Sequence, residues 1–383
     1  MVKLALLGAT GSIGRSTLAV AREQAEHFSL SLISAHTDWQ SLCHTATEFQ
    51  IPVAVLTGIG DPALRATIRA EYPALRIYFG EEDLLRALAD EDYDIGLNAI
   101  SGSAGLRSSF AIARRGKRLA LANKESLVLA GHLLMPLIKD SGTELVPVDS
   151  EHSAIFQAIG NHPAEEIRRI HITASGGSLR DLPLAELEQI TLERALKHPN
   201  WSMGAKVTLD SATMFNKALE VMEAHWLFGL PYDRINALLH PQSLIHSLVE
   251  FVDGSILAQL STPDMKLPIL YALSWPHRLP SELTKTDLTQ MGELSFAPIG
   301  KERYPLFWLG LEVAREGGIL PTVLNSANEG ALHLFQQGRI KFTDIHRTCE
   351  RMVQNHANVA HPDLAEVLET NRQVYLSVVE TYG

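Results

Sequence analysis

Cysteine is nearly missing from this chain. Its 383 residues include two, Cys43 and Cys349, which stand alone with no metal-binding or redox spacing. That pattern predicts reduced thiols in a cytosol. Long apolar runs are missing too, and no stretch approaches the roughly 20 residues that a membrane crossing takes. Positive charge is short: 33 Lys and Arg stand against 44 Asp and Glu, for a net charge of −11. The balance argues against nonspecific nucleic-acid binding and leaves any anionic substrate to a local positive site. There is no low-complexity run and no internal repeat. With 46% hydrophobic residues the chain reads as a globular protein of two or three domains. The opening MVKLALLG reads as a strand, not a signal or transit peptide, so a cytoplasmic location is expected.

What is present is organised around one stretch, His198 to Ala224: HPNWSMGAKVTLDSATMFNKALEVMEA. Its first half, 198–209, carries Pro199, Asn200, Ser202 and Gly204, which is loop chemistry. Trp201 and Met203 sit in that loop where no core periodicity asks for them, so it is a lid candidate. Asp210 and Ser211 are good N-caps, and a helix is expected to open there. Ala212, Phe215, Leu219, Met222 and Trp226 recur at helical steps and predict a buried stripe. Thr213, Asn216, Lys217 and Glu220 fall on the other side, where the last three meet at i,i+3 and i,i+4 spacing. A hydroxyl, an amide, an ammonium and a carboxylate together suit a phosphorylated ligand beside a metal ion. A solvated helix face with an ordinary ion pair is the competing reading.

The N-terminus reads as strand, glycine turn and helix: Val2–Leu7, then GATGSIG, then a helical pattern over 15–24. That context suits a dinucleotide fingerprint, with the pyrophosphate at the helix start. A tight turn packing helix on sheet would look the same. Strands follow at 30–35, 53–56, 77–79, 94–100, 119–122 and 144–148. Their alternation with helices predicts an α/β chain with an N-terminal, Rossmann-like, doubly wound parallel sheet over 1–148. The second strand ends in Ser34, His36 and Thr37, with Asp38 slightly later. No carboxylate stands at the strand tip to repel a 2′-phosphate, which favours NADPH over NADH. Asn98 to Gly102 and Asn123-Lys124-Glu125 lie at strand ends, where ligands bind in such sheets.

Asp149 and Glu151, two apart, project to one side if the chain stays extended. Like charges that close need protons or a cation. With a third carboxylate from elsewhere they make a hard-cation site, Mg²⁺ or Mn²⁺; a solvated acidic turn is the plain alternative. His152 points elsewhere if the strand continues. Residues 168–173 form a further strand, and Ser175 before Gly176 and Gly177 resembles a phosphate nest. Two strands, 243–252 and 255–261, flank the hairpin signal Asp253-Gly254. A central α+β catalytic domain over 149–280 is therefore expected, with 198–209 as its lid. The stretch 271–290 reads as linker, the polar span being set at 281–303, and 304–383 as a C-terminal helical bundle.

Taken together, GATGSIG, ANKES, PVDSEHSAIFQ, ASGG, the 198–224 stretch and PDMKLPI, in that order, resemble 1-deoxy-D-xylulose 5-phosphate reductoisomerases over nearly the whole chain. The resemblance implies conversion of 1-deoxyxylulose 5-phosphate, a small phosphorylated hydroxyketone, to 2-C-methylerythritol 4-phosphate. It implies NADPH and a divalent metal as cofactors, a place in non-mevalonate isoprenoid synthesis, and a homodimer. The skeleton would rearrange by retro-aldol and aldol steps or by a direct ketol shift, and hydride would then reduce the aldehyde. The resemblance implies Thr10, Gly11, Ser12, Ile13, Asn123, Glu125, Met203 and Gly204 at NADPH, and Asp149, Glu151 and Glu220 at the metal. It implies Lys124, Ser150, Ser175, His198, Trp201, Ser211, Asn216 and Lys217 at the substrate, with Glu151 and Glu220 beside it. The segment Ala35-His36-Thr37-Asp38 departs from the family's Gly-basic-Asn pattern, so 2′-phosphate contacts are not assigned. Two other readings stand beside it. A plain NADP-dependent dehydrogenase leaves three spaced carboxylates unexplained and lacks a convincing nucleophilic cysteine. A non-catalytic nucleotide sensor would need no metal.

Overall fold

The computed structural model describes residues 1–201 and 203–381. Ser202 of the lid stretch and Tyr382 of the last predicted helix lie outside the described residues. The chain forms two compact units: 1–126, 134–153 and 265–285 make the first, and 127–133, 154–264 and 286–383 the second.

The first unit alternates strands and helices. In order they are β1 (Val2–Leu7), α1 (Ser12–Glu23), β2 (Phe28–Ala35), α2 (Trp39–Glu48), β3 (Val53–Leu56), α3 (Pro62–Glu71), β4 (Arg76–Phe79), α4 (Glu81–Asp90), β5 (Ile95–Asn98), α5 (Leu106–Ala113), β6 (Arg118–Leu121), α6 (Glu125–Ser141, apart from its residues 127–133), β7 (Leu145–Pro147) and the start of α7 (Ser150–Ile159). The sheet order is β4-β3-β2-β1-β5-β6-β7. Every neighbouring pair is parallel. Strands covered on both faces must be apolar throughout, and Leu4–Leu7 and Val53–Leu56 are fully buried. The order reverses between β1 and β5, so the crevice beyond their carboxyl ends is the ligand position of such sheets. The predicted doubly wound fold is what the structure has.

The second unit carries β8 (Ile167–Ala174), the short α8 (Leu192–Ala195), α9 (Ala205–Ala212), α10 (Phe215–Phe228), β9 (Ile235–Leu239), β10 (Ile245–Phe251) and β11 (Ile256–Leu260). The order β11-β10-β8-β9 is antiparallel except between β8 and β9. The expected hairpin is present, with Gly254 at φ 90°. Strand β9 was not expected, and with it the sheet becomes mixed. Its sequence, INALL, is too short and too weakly alternating to stand out. The remaining helices of this unit, α12 (Pro305–Glu316), α13 (Leu320–Gln336), α14 (Phe342–Gln354) and α15 (Leu364–Thr381), match the expected C-terminal helical segment.

The stretch read as linker differs. Lys266–Ser274 is a helix, α11, and its residues Pro268–Leu273 are buried. It belongs to the first unit: Arg118 donates to the carbonyls of Leu273 (3.1 Å) and Trp275 (2.6 Å), and Gln24 to that of Pro280 (2.7 Å). A helix apolar all round has no periodic signature, so the sequence hides it.

Candidate active site

The glycine turn after β1 is shaped by close approach. Gly8 has φ 78°, and a Cβ on it would lie 2.6 Å from the Ala99 carbonyl oxygen at the end of β5. A Cβ on Gly14 would meet the Gly8 and Ala9 carbonyls at 2.3 and 2.4 Å. Gly11 is the N-cap of α1 and leaves its first turn uncapped by any side chain. Thr10, Gly11, Ser12 and Ile13 thus present the helix start, where unpaired amides and the dipole favour a pyrophosphate. Asp38, the carboxylate nearest the end of β2, caps α2 by accepting the Ser41 amide (3.2 Å). His36 packs over Gly58 and bonds Thr57 Oγ1 (3.1 Å).

Asn123, buried after β6, donates to the carbonyls of Ile100 (2.7 Å) and Gly102 (2.8 Å). Its Oδ1 accepts the Ser126 amide at 3.0 Å. The side chain therefore folds the 98–102 turn against the start of α6, and Glu125 lies buried beside it. Lys124, also buried, places Nζ 2.7 Å from Asp149 Oδ2.

At Asp149 the structure corrects the extended-chain reading. Helix α7 begins at Ser150, and Asp149 accepts the Glu151 amide (3.1 Å) as a helix-start carboxylate does. Ser150 Oγ donates to Glu151 Oε2 (2.5 Å). The turn also brings back His152, which the extended reading had pointed away: its Nδ1 is 3.2 Å from Asp149 Oδ1. Reading Asp-Ser-Glu as a helix start would have found it. Burial alone would raise the Asp149 carboxyl, but Lys124 and His152 beside it hold it well below the usual range.

In the second unit the helix of the central stretch does not open on Asp210 and Ser211. Helix α9 already runs from Ala205 with Gly204 as N-cap, and Asp210 and Ser211 occupy its last turn. The chain breaks at Met214 (φ 61°) and restarts at Phe215, whose amide bonds Thr213 Oγ1 (3.3 Å). Asp210 is buried and held by Lys206 (3.1 Å) and by Asn328 of α13 (2.7 Å), so it is no cap.

Of the expected stripe, Phe215, Leu219 and Met222 are buried on α10 and Ala212 is buried at the end of α9, while Trp226 is half-buried, its ring lying against the backbone of Gly131. The polar side is buried as well, against the solvated-face alternative. Lys217 Nζ and Asn216 Nδ2 both bond the Glu220 carboxylate, and the Lys217 and Glu220 side chains are 6% and 1% exposed.

Beyond β8, Ser175 Oγ accepts the Gly177 amide (3.1 Å) and bonds His198 Nε2 (3.0 Å). His198 Nδ1 accepts the amides of Asn200 (3.2 Å) and Trp201 (3.0 Å), so the ring proton sits on Nε2 and points at Ser175. Burial, helped by the charge of Arg180, pushes His198 down to about 4, and the ring is neutral at pH 7. The Ser175 hydroxyl then accepts from both His198 and Gly177, so its own hydrogen is given to neither. A Cβ on Gly177 would strike the Ser211 carbonyl at 2.4 Å, so this loop seats on the end of α9 beside Ser211. The lid is tied down: Asn200 donates to Pro241 O (2.7 Å), and Trp201 meets the His246 ring edge-on at 5.9 Å. Met203 is half-buried and Gly204 exposed.

Comparison with known proteins supplies an independent line. The family model for 1-deoxy-D-xylulose 5-phosphate reductoisomerase matches residues 4–131. Models of the C-terminal domain of that enzyme match 145–228 and 260–375. A 1-deoxy-D-xylulose 5-phosphate reductoisomerase of Synechococcus sp. (strain JA-2-3B'a(2-13)) is 46% identical over 97% of this chain and 95% of its own. One from Lysinibacillus sphaericus (strain C3-41) is 45% identical over 99% of this chain and 100% of its own. Among solved structures, the Zymomonas mobilis reductoisomerase in complex with NADPH superposes with a TM-score of 0.90 at 38% identity, covering 100% of this chain and 99% of that one. A DOX-P reductoisomerase in complex with NADPH, fosmidomycin and magnesium gives 0.92 at 36% identity, covering 100% and 97%.

Proposed function

Because the chain belongs to the 1-deoxy-D-xylulose 5-phosphate reductoisomerase family, we propose that it converts 1-deoxy-D-xylulose 5-phosphate to 2-C-methyl-D-erythritol 4-phosphate, using NADPH and a divalent cation, in isoprenoid precursor synthesis. The observation that supports this best is the buried face of α10, where Lys217, Asn216 and Glu220 form one bonded cluster. A solvated helix has no reason to bury that cluster, since burying charge is costly.

The donors fit both cofactors. Thr10, Gly11, Ser12 and Ile13 would hold the NADPH phosphates on the start of α1. Asn123, Glu125, Met203 and Gly204 would line the rest of the cofactor. The Gly8 approach to Ala99 leaves no side chain in the way. Asp149, Glu151 and Glu220 would hold the cation, an all-carboxylate set suited to Mg²⁺ or Mn²⁺. Bound there, the cation supplies Lewis-acid polarisation of the substrate carbonyl and NADPH supplies hydride.

The chain's own residues do the rest. Ser175, Ser211, Asn216 and Lys217 bind the phosphate, and neutral His198 orients the Ser175 hydroxyl toward it by donating to Ser175 Oγ from Nε2. Phosphate anchoring is remote binding energy that positions the reacting end. Lys124 and Ser150 hold the substrate oxygens beside Asp149 and Glu151. Trp201 and Met203 cover the substrate and exclude water.

We also infer a homodimer. Strand β11 is an exposed edge, with Ile256 54% and Leu257 47% exposed, and Val252 at the hairpin is 61% exposed. An apolar sheet edge of this kind invites pairing. The cytoplasm is the proposed compartment, in keeping with two buried, unpaired thiols. Among the described residues no helix is long and apolar enough to cross a membrane.

One assay tests the reading: NADPH oxidation with deoxyxylulose phosphate, with and without EDTA. Turnover lost in EDTA and restored by Mg²⁺ or Mn²⁺ is expected. NADPH binding without any metal-dependent turnover would overturn it.

A further inference from the structure

A phosphate cradle made of main chain works when its N–H groups face the anion and its carbonyls face away. The loop after β8 meets that condition through two side chains that no comparison singles out. Arg180 Nη1 donates to the Ser175 carbonyl at 2.6 Å. The Tyr304 hydroxyl donates to the Gly176 carbonyl at 3.0 Å. We propose that Arg180 and Tyr304 are positioning residues for the substrate phosphate, holding the Ser175–Gly177 loop in its anion-accepting form.

The proposal rests on the reading of that loop as the phosphate site. With both carbonyls drawn off, the Gly176 amide has no hydrogen-bond partner among the described residues. The Ser175 hydroxyl, already accepting from Gly177 and His198, has its hydrogen to give. The three side-chain positions are mutually fitted. Gly176 has φ 84°, and a Cβ there would lie 2.8 Å from Arg180 Cδ and 3.1 Å from the Tyr304 oxygen.

Arg180 is itself fixed. Its Nε and Nη2 engage Asp181 at 2.9 and 2.7 Å, which leaves Nη1 aimed at Ser175. Tyr304 is 2% exposed, and burial pushes its hydroxyl up to about 12, so it remains a neutral donor at working pH. The neighbouring Arg303 donates to the carbonyls of Leu179 (3.1 Å) and Leu182 (2.6 Å). Two consecutive residues at the entrance to α12 thus set the path of 176–182. The C-terminal helical segment acquires a task in substrate binding that its sequence does not advertise.

The test compares wild type with Tyr304→Phe, which removes one oxygen, and Arg180→Met, which keeps most of the stem. The readouts are KM for deoxyxylulose phosphate, the inhibition constant of inorganic phosphate, and KM for NADPH. A single lost hydrogen bond corresponds to about a tenfold change. The first two constants are expected to rise together by about that factor in each variant, with KM for NADPH unchanged. A structural role alone would lower the amount of active enzyme, and hence kcat, at constant KM. That outcome, or a phosphate constant equal to wild type in Tyr304→Phe, overturns the proposal. Should phosphate fail to compete with substrate even in wild type, the reading of the loop falls first and the proposal with it.

Discussion

Replacing Lys217 by Met removes the ammonium from Glu220 and keeps the apolar stem. The pair is buried, with side chains 6% and 1% exposed, and Asn216 bonds the other carboxylate oxygen. Breaking one side of a buried pair leaves a charge in a medium that solvates it poorly, at about 3–5 kcal/mol. The Asn216 bond stays, so the low end, about 3 kcal/mol, is expected for the bare protein. For a unit of this size that corresponds to a melting temperature lower by roughly 6–12 °C. Lys217→Met combined with Glu220→Gln removes both charges and should recover most of the loss. Binding should move in opposite directions. An ammonium bonded to Glu220 competes with a cation for the same carboxylate, so Lys217→Met should bind Mn²⁺ more tightly and inorganic phosphate more weakly. Mn²⁺ at about 100 times its dissociation constant would return about 2.7 kcal/mol. Differential scanning fluorimetry with and without Mn²⁺ measures the stability terms, and electron paramagnetic resonance of free Mn²⁺ measures the affinity. An unchanged melting temperature, or Mn²⁺ bound no better than by wild type, would refute the reasoning.

Further outcomes follow from single positions. Gly8→Ala places a methyl 2.6 Å from a carbonyl at φ 78°, so NADPH affinity measured by fluorescence quenching should fall by about 100-fold or more; a change under tenfold would mean that the turn relaxes. Glu220→Gln alone should abolish turnover while NADPH binding stays near wild type, and retained turnover at limiting metal would remove Glu220 from the ligand set. Trp201→Ala, which removes the ring packed on His246, should raise KM for substrate more than for NADPH, and unchanged kinetics would make Trp201 purely structural. His198 is depressed to about 4 from an ordinary 6.5. Between those values the unfolded chain binds the extra proton, so stability is flat above pH 6.5 and falls as pH drops toward 4. His198→Asn should lose that part of the slope in urea titrations, and an unaltered slope would show that His198 protonates freely in the folded state.

Legibility in the sequence followed periodicity. The parallel sheet was readable because apolar runs such as VAVL at 53–56 alternate with amphipathic helices. The C-terminal helices were readable for the same reason. What escaped were elements whose signal is not periodic. LPILYAL in α11 is covered on all sides, and β9 is short. Helix α9 escaped because Gly204 is a weaker cap signal than Asp210 and Ser211. Those two residues read as a start, yet Asp210 is committed to Lys206 and Asn328 across helices. Tertiary partners of this kind are not visible in local sequence. The same blindness hid the partners of His152, which a turn brings to Asp149, and those of Arg180 and Tyr304, whose carbonyl partners lie 5 and 128 residues away.

The two lysines assigned to the substrate share an arrangement that bears on why the charges are there at all. In the first unit Lys124 is bonded to Asp149, and in the second Lys217 is bonded to Glu220. Buried ion pairs add little to stability compared with apolar side chains of the same volume, and often subtract from it. A chain selected for folding alone would fill these positions with leucine or methionine. Each pair instead keeps a carboxylate and an ammonium side by side at low exposure, ready to exchange partners. A cation can take the carboxylate while an anionic substrate takes the ammonium, and neither charge is left bare during the exchange. That is a physical reason for charged residues to stand at low exposure here, within α10 in one case and just before α6 and α7 in the other.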